Sequence, residues 1–144
     1  MSLCKNCGRE TPKRKPERKF CCTECLLEYN KKQQELKYKE DVARWKAGLD
    51  DGMRGATAIK HFIRRYLFEK YECKCARCGW HEINPTTGNC PLEVEHVDGN
   101  HENNAEENLI LLCPNCHSLT STYKSLNKGK GRNRKKYNEQ YKKV

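Results

Sequence analysis

The stretch EVEHVDGNHENNAEENLILLCPNCH, from Glu93 to His117, decides the fold of this chain. Leu92 to Val97 alternates between apolar and polar residues and therefore predicts a short strand, and Leu109 to Leu112 predicts a second one. The polar residues between them predict a loop, with turn chemistry at Asp98-Gly99-Asn100. Pro114 suits the first position of a helix, where its missing N–H is not needed. The predicted order is strand, loop, strand, helix.

Two Cys-x2-Cys pairs bracket this stretch and predict one metal site. They are Cys75 with Cys78 and Cys113 with Cys116. Four thiolates around one Zn²⁺ can hold together a unit that is too small for a large core. The chain shows no apolar leader segment, which favours a reducing compartment and hence zinc over disulfides. Cys73 is an alternative in register to Cys75, and Cys73 and Cys90 are expected to be spare thiols.

A second cysteine set lies near the N-terminus and predicts a small zinc finger. Cys4 and Cys7 form one pair, and Cys21 with Cys25 forms the other after a basic loop. Cys22 could replace Cys21 as the third ligand, because it offers the x2 spacing. The segment Phe20-Cys21-x3-Cys25 resembles the second knuckle of treble-clef-like fingers, which favours Cys21. Two structural Zn²⁺ ions per chain are therefore expected.

Two helices are predicted between these cysteine sets. The segment 23–47 is helix-prone but polar on most sides, which is typical of a helix that bridges modules through solvent. Gly48, Gly52 and Gly55 follow it and indicate a turn or linker. The segment 57–71 has apolar residues at helical spacing, so it predicts an amphipathic helix that packs against a core.

Charge is distributed very unevenly along the 144 residues. The net charge is +10 and the sequence pI is about 9.1, which favours a polyanionic partner. Yet the segment 79–123 contains seven acidic residues and no lysine or arginine. Carboxylates gather a hard cation, which can then meet a phosphate. The mean hydropathy of −1.07 and the absence of a long apolar run argue against a membrane-spanning protein.

The phrases EHVDGNHxNN and ENLxLLCPNCHS resemble the HNH, or ββα-metal, nuclease family, over about residues 71–123. The IRRYL segment, the CxxCGW segment and the basic tail are similar to free-standing phage endonucleases of the homing type. The resemblance implies that His96 is the general base. It implies that Asn108 orients the His96 ring, through a ring nitrogen or the neighbouring backbone, and that Glu95 and His117 bind the catalytic metal. The longer Glu95 stands where aspartate is frequent.

The fold class expected from these features is a small, zinc-stabilised α+β protein. It comprises an N-terminal zinc finger (1–29), a helical linker (30–56), an HNH, ββα-metal nuclease module (57–123) and a basic DNA-binding tail (124–144). The residues expected to touch DNA are basic and lie outside the acidic segment: Lys60, Arg64, Arg65, Lys128, Lys130, Arg132, Arg134, Lys135 and Lys136.

The function implied by the resemblance is hydrolysis of DNA phosphodiester bonds with a catalytic Mg²⁺, or with Mn²⁺ or another divalent ion. The expected partner is double-stranded DNA, with no membrane and no small-molecule cofactor. One catalytic set favours nicking by a monomer, whereas a dimer could cut both strands. The chain is expected to be a monomer or weak dimer and to act in the cytoplasm of the host cell. The alternative is a zinc-finger DNA-binding regulator with a catalytically silent HNH fold.

Overall fold

The computed structural model describes residues 2–12 and 18–128, and the chain divides into two compact units. The first unit is Met1–Asp41 and the second is Val42–Val144. The boundary falls within the first helix, α1 (Thr23–Lys46), which matches the helix predicted from residue 23 to residue 47. The domain limits expected from the sequence, 1–29, 30–56, 57–123 and 124–144, stay predictions.

The first unit is built around its cysteines rather than around an apolar core. An isolated β-bridge pairs Leu3 with Glu10, and Phe20 and Tyr29 pack with ring centroids 5.2 Å apart. Cys4 and Cys25 are buried at 3% and 6% exposure. Most other side chains of the described part of this unit are exposed or half-buried. The small size of this unit fits the expectation that a metal site replaces a core.

A hairpin in the second unit corrects one prediction. Strands β1 (Met53–Arg54) and β2 (Ala58–Ile59) pair antiparallel, and helix α2 runs over His61–Lys70. Helix α2 therefore begins at His61, four residues later than the start predicted at residue 57. Ile59 fits the apolar stripe but lies on a strand, where it packs against a cluster of buried residues that includes Ile63 and Leu67 of α2.

The segment that decides the fold forms the predicted strand–loop–strand–helix unit. Strand β3 (Glu93–His96) pairs antiparallel with β4 (Leu109–Leu112), and Glu95 lies opposite Ile110. Helix α3 (Pro114–Ser118) follows with Pro114 in its first turn, and the Cys113 sulfur accepts the N–H of Cys116 at 3.4 Å. The small α+β fold expected from the sequence is confirmed.

In residues 42–128, the described part of the second unit, the core has two adjoining clusters. One surrounds the cysteines and includes Leu92, Leu111 and Leu112. The other joins Trp45 to Ile63, Leu67 and Leu109. Trp45 is only 4% exposed although it belongs to the segment predicted as a linker. Within residues 2–12 and 18–128, no helix is long and apolar enough to cross a membrane.

Candidate metal and active site

A carboxylate and an imidazole face each other between β3 and α3. The Oε2 atom of Glu95 lies 2.7 Å from the Nε2 atom of His117, and the two side chains are 12% and 22% exposed. The pairing depends on the β-hairpin, which brings the end of β4 and hence α3 back beside β3. A carboxylate oxygen and an imidazole nitrogen are a donor set that divalent first-row metals accept. Glu95 and His117 therefore fit a divalent ion.

Glu93 contacts the other nitrogen of the His117 ring. Its Oε2 atom is a hydrogen-bond partner of Nδ1. Strand side chains repeat every two residues, so Glu93 and Glu95 project from the same face of β3. Histidines that bind metals usually donate their second ring N–H to a carboxylate, which fixes the tautomer and the orientation of the ring. Glu93 thus leaves Nε2, the atom facing Glu95, free to act as a ligand.

The remaining oxygen of Glu95 is held by the chain that follows α3. The Thr122 hydroxyl donates to Oε1 at 2.5 Å, and the Thr120 hydroxyl lies 3.4 Å from the same atom. The same segment also reaches the loop after β3, because the Asn127 amide donates to the Gly99 carbonyl at 2.7 Å. Both oxygens of the Glu95 carboxylate therefore have partners, Oε2 at His117 and Oε1 at Thr122.

His96 is the last residue of β3, and it has different partners from Glu95 because adjacent strand side chains point to opposite faces. Its Nε2 atom lies 2.8 Å from the Oδ1 atom of Asn104. Asn104 is 3% exposed. The ring is therefore held by a buried amide from the loop between β3 and β4.

Asn108, which the resemblance links to the His96 ring, makes its contacts with the loop after His96. Its side-chain oxygen accepts the backbone N–H of Asp98 at 3.0 Å. Its amide group donates to the Asp98 carboxylate and to the Asn103 carbonyl, both at 2.8 Å. The backbone carbonyl of Asn108 also accepts the N–H of Val97 at 2.9 Å. Asn108 thus fixes the backbone directly after the histidine.

The predicted cysteines of the second unit come together as one cluster. One sulfur from each of Cys75, Cys78, Cys113 and Cys116 lies within 4.8 Å of the other three. The Cys78 and Cys113 sulfurs are 3.8 Å apart. A tetrahedral ion with Zn–S bonds of about 2.3 Å separates its sulfurs by about 3.8 Å. The geometry therefore fits a single zinc-sized ion that joins residue 75 to α3.

The backbone around this cluster favours the thiolate form of Cys75. Burial raises the pKa of its thiol, but hydrogen bonds from the backbone N–H groups of Cys113, Cys78 and Arg77 lower it, and the pKa falls to about 6. Gly79 has a φ of +74°, and its N–H donates to the Cys75 carbonyl at 2.8 Å. That left-handed conformation suits glycine and closes the knuckle.

The cluster of the first unit uses Cys21 and leaves Cys22 beside it. The four sulfurs that gather within 4.8 Å belong to Cys4, Cys7, Cys21 and Cys25. The Cys21 sulfur lies 3.6 Å from Cys7 and 3.5 Å from Cys25. The Cys22 sulfur instead accepts the backbone N–H of Cys25 at 3.4 Å. Both clusters could hold a metal ion, and their donor atoms suit zinc.

Comparison with known proteins bears on the second unit. Residues 75–122 match the model of the HNH endonuclease family. A segment of 57 residues is 51% identical to the H-N-H endonuclease F-TflIV of Escherichia phage T5. Residues 75–122 form an HNH endonuclease domain. The match to the phage protein covers 40% of this chain and 24% of that protein. No solved structure matches the chain.

The basic residues predicted to touch DNA from α2 and its start have partners within the protein. Lys60 contacts the Asp50 carboxylate at 2.6 Å. Arg64 donates to the Leu92 carbonyl at 3.1 Å and lies over the Phe68 ring, and Arg65 pairs with Glu69 at 2.8 Å. Lys128 is exposed. The other predicted contacts, Lys130, Arg132, Arg134, Lys135 and Lys136, lie outside the described residues.

Three residues of the HNH domain have contacts in this site that were not predicted from the sequence. Glu93 was open to prediction, because the two-residue period of a strand places it beside Glu95. Asn104 was not, since the loop contains several asparagines and nothing local singles it out. Thr122 follows α3 at no recognisable spacing from Glu95, so its contact depends on the fold.

Proposed function

We propose that this chain is a metal-dependent DNA endonuclease that hydrolyses phosphodiester bonds. The observation that carries the proposal is the 2.7 Å approach of Glu95 to His117 within the HNH domain. Two ligands of the right chemistry meet on rigid elements, and a histidine with proton-transfer capacity lies on the same strand as Glu95. The phage T5 relative is named as an endonuclease, which supports the same activity.

In this proposal the residues of the site have separate roles. Glu95 and His117 hold the divalent ion, Mg²⁺ or Mn²⁺, and Glu93 keeps the His117 ring in the orientation that presents Nε2. Such an ion stabilises the charge that develops on the phosphate and the leaving oxygen. His96 removes a proton from the attacking water. Asn108 holds the backbone after His96, so that the ring stays at the end of β3.

The uneven charge of the chain supports a division between cleavage and DNA binding. The segment from residue 79 to residue 123 contains seven acidic residues and no lysine or arginine. It therefore repels a phosphate backbone unless a cation is bound. We propose that basic groups outside this segment bind double-stranded DNA: Arg64, Arg65 and the lysines and arginines after residue 123. The two four-cysteine clusters would hold structural Zn²⁺.

The finer part of the proposal concerns how the enzyme cuts and where. One catalytic set per chain favours cutting one strand, so we propose a site-directed, homing-type nicking enzyme of phage origin. It would act as a monomer or weak dimer in the cytoplasm of the host cell. Reading of sequence is assigned to the N-terminal cluster and its basic loop, since phosphate contacts alone carry no sequence information.

Plasmid nicking tests the proposal directly. Supercoiled DNA is incubated with the wild type, with His96→Ala and with the control His81→Ala, which removes an exposed histidine. The metal is controlled by leaving Mg²⁺ out and adding it back, because a chelator would also remove zinc from the four-cysteine clusters. We expect His96→Ala to cut about 10² to 10⁴-fold more slowly. We expect the wild type to cut only after Mg²⁺ is added, with nicked circles before linear DNA.

Two results would overturn the endonuclease. One is equal cutting by the wild type and His96→Ala, and the other is a wild type that does not cut with either Mg²⁺ or Mn²⁺. Salt-sensitive DNA binding without turnover would then favour the silent regulator. Linear DNA formed without a nicked intermediate would contradict the nicking proposal alone.

A further inference from the structure

The hydrogen bond between His96 and Asn104 determines where the imidazole carries its hydrogen. Its atoms are Nε2 of the ring and Oδ1 of the amide, 2.8 Å apart. An amide oxygen only accepts hydrogen bonds, so Nε2 must be the donor. In a neutral ring the lone pair then lies on Nδ1. Within the described part of the chain, Nδ1 of His96 has no hydrogen-bond partner.

The assignment of the two Asn104 side-chain atoms rests on their other neighbours. The amide nitrogen donates to the Asp51 carbonyl at 3.2 Å and lies 2.9 Å from the Met53 sulfur. A carbonyl oxygen and a thioether sulfur both accept hydrogen bonds and neither donates one. A flipped amide would put oxygen against oxygen. The oxygen of Asn104 must therefore point at His96.

Asn104 is also held from behind by the segment that precedes the hairpin. The indole N–H of Trp45 donates to the backbone carbonyl of Asn104 at 2.7 Å in a buried contact. Gly52 has a φ of +72°, and a Cβ there would lie 3.0 Å from the Asn104 Cβ and 2.5 Å from the Ile63 Cδ1. Only a residue without a side chain allows the hairpin to approach so closely.

These supports lie outside the region that matches the HNH family. Trp45, Asp51, Gly52 and Met53 all precede residue 75, where the match begins. They nevertheless belong to the same compact unit as the HNH domain. Trp45 is fixed in turn by edge-on contacts with Phe62 and Tyr66, at centroid distances of 6.3 and 5.5 Å. The histidine is thus linked to the core through one buried amide.

We propose that Asn104 is the positioning residue of His96, and that the segment 45–53 is part of the catalytic unit. Asn104 holds the Nε2–H form of the ring and so presents the Nδ1 lone pair to the attacking water. Asn108 fixes the backbone beside the ring, and Asn104 fixes the ring itself. This inference rests on the proposed function only where it speaks of the attacking water, because the tautomer can be measured without a reaction.

Nuclear magnetic resonance of ¹⁵N-labelled histidine tests the tautomer at a pH where the ring is neutral. The full-length, zinc-loaded wild type should show His96 with its hydrogen on Nε2. Asn104→Ala should lose this single form, whereas Asn104→Asp should keep an Nε2–H because it retains an acceptor oxygen. Asn89→Ala, an exposed asparagine in another loop, is the matched control and should leave the His96 signals unchanged.

Nicking kinetics provide the second measurement. Displacing a catalytic group by about 1 Å can cost 10²-fold, so we expect kcat of Asn104→Ala to fall by about 10 to 100-fold with KM for the plasmid unchanged. Asn104→Asp should lose less. The volume-conserving Met53→Leu removes only one support of the amide and should lose least.

The outcomes separate this inference from the proposed function. A wild-type spectrum with the hydrogen on Nδ1 overturns the inference without any variant, and so does an unchanged Nε2–H signal in Asn104→Ala. If the wild type does not cut DNA, the endonuclease fails while the tautomer result stands. If the wild type cuts and Asn104→Ala cuts equally fast, the positioning role of Asn104 is refuted while the endonuclease stands.

Discussion

His117 is placed between two carboxylates of one strand: its Nε2 atom lies 2.7 Å from Glu95, and its Nδ1 atom contacts Glu93. In the proposed metal site only Glu95 would share an ion with Nε2, and Glu93 would act on the ring through Nδ1. We therefore expect Glu93 to be a positioning residue. The two acidic residues of β3 would then have different roles, because they contact different nitrogens of the same ring.

Removing the Glu93 carboxylate should weaken metal binding without removing a ligand. Loss of a carboxylate that orients a metal-binding histidine typically costs 10 to 100-fold in affinity, and we expect about that loss for Glu93→Ala. Mn²⁺ titration followed by electron paramagnetic resonance measures it. Glu93→Gln keeps an acceptor for the Nδ1–H and should recover part of the affinity.

Glu102→Ala is the control for the loss of one negative charge near the site, since Glu102 is exposed and lies in the same acidic segment. It should bind Mn²⁺ nearly as well as the wild type. Equal weakening by Glu93→Ala and Glu102→Ala would show that only net charge matters, and the positioning role would be refuted.

The Thr122 hydroxyl should hold the Glu95 carboxylate in its metal-binding orientation. Its hydrogen bond to Oε1 is 2.5 Å long, and hydrogen bonds to charged groups contribute about 1.5 to 3 kcal/mol. The isosteric Thr122→Val should therefore weaken Mn²⁺ binding by about tenfold or more, and Thr122→Ser should restore it. Ser121→Ala, at an exposed neighbouring position, should have no effect. Unchanged Mn²⁺ affinity in Thr122→Val would contradict this role.

Local sequence predicted the elements that carry the site because their signals are local. Strand alternation located β3, the apolar run located β4, and Pro114 located the start of α3. The cysteine spacing predicted the two sets that form the four-cysteine clusters. In the first cluster the structure favours Cys21 over Cys22. Each of these signals lies within a few residues of the feature that it predicts.

The features that could not be predicted depend on where distant segments meet. The start of α2 was placed too early, because Ala58 and Ile59 bond to Arg54 and Met53, and a helical periodicity does not reveal a strand partner. Asn104 was one of several similar amides in its loop. Its importance comes from Trp45 and Met53, which lie more than fifty residues earlier.

The choice between Cys21 and Cys22 can be tested by counting zinc. We expect two zinc ions per wild-type chain by elemental analysis, one in each four-cysteine cluster. Cys21→Ser should lose one of them, because its sulfur is the one within reach of Cys7 and Cys25. Cys22→Ser should keep both, since the Cys22 sulfur is outside the set of four. The reverse result would assign the site to Cys22, and fewer than two ions in the wild type would contradict the zinc proposal.

Glu106 should make the second unit sensitive to acid. The Tyr66 hydroxyl donates to its carboxylate at 2.5 Å and Lys70 at 2.9 Å, and Lys46 lies 3.3 Å away. These contacts lower the pKa of Glu106 from 4.5 to about 2, with the Tyr66 hydrogen bond as the largest cause. A carboxyl whose pKa is lowered by folding stabilises the folded state above its unfolded pKa. That stabilisation is lost as the pH falls from about 4.5 towards 2.

We therefore expect Glu106→Gln to lower the free energy of unfolding by about 1 to 2 kcal/mol at pH 7, a value reduced for partial exposure of the cluster. Urea denaturation of the wild type and the variant measures the difference, which should shrink below pH 4.5 and vanish near pH 2. Loss of zinc in acid affects both proteins alike, so the difference between them isolates Glu106. Glu107→Gln, at the exposed neighbouring position, should change little at any pH. A Glu106→Gln deficit that persists at pH 2 would mean that shape, rather than charge, accounts for the effect.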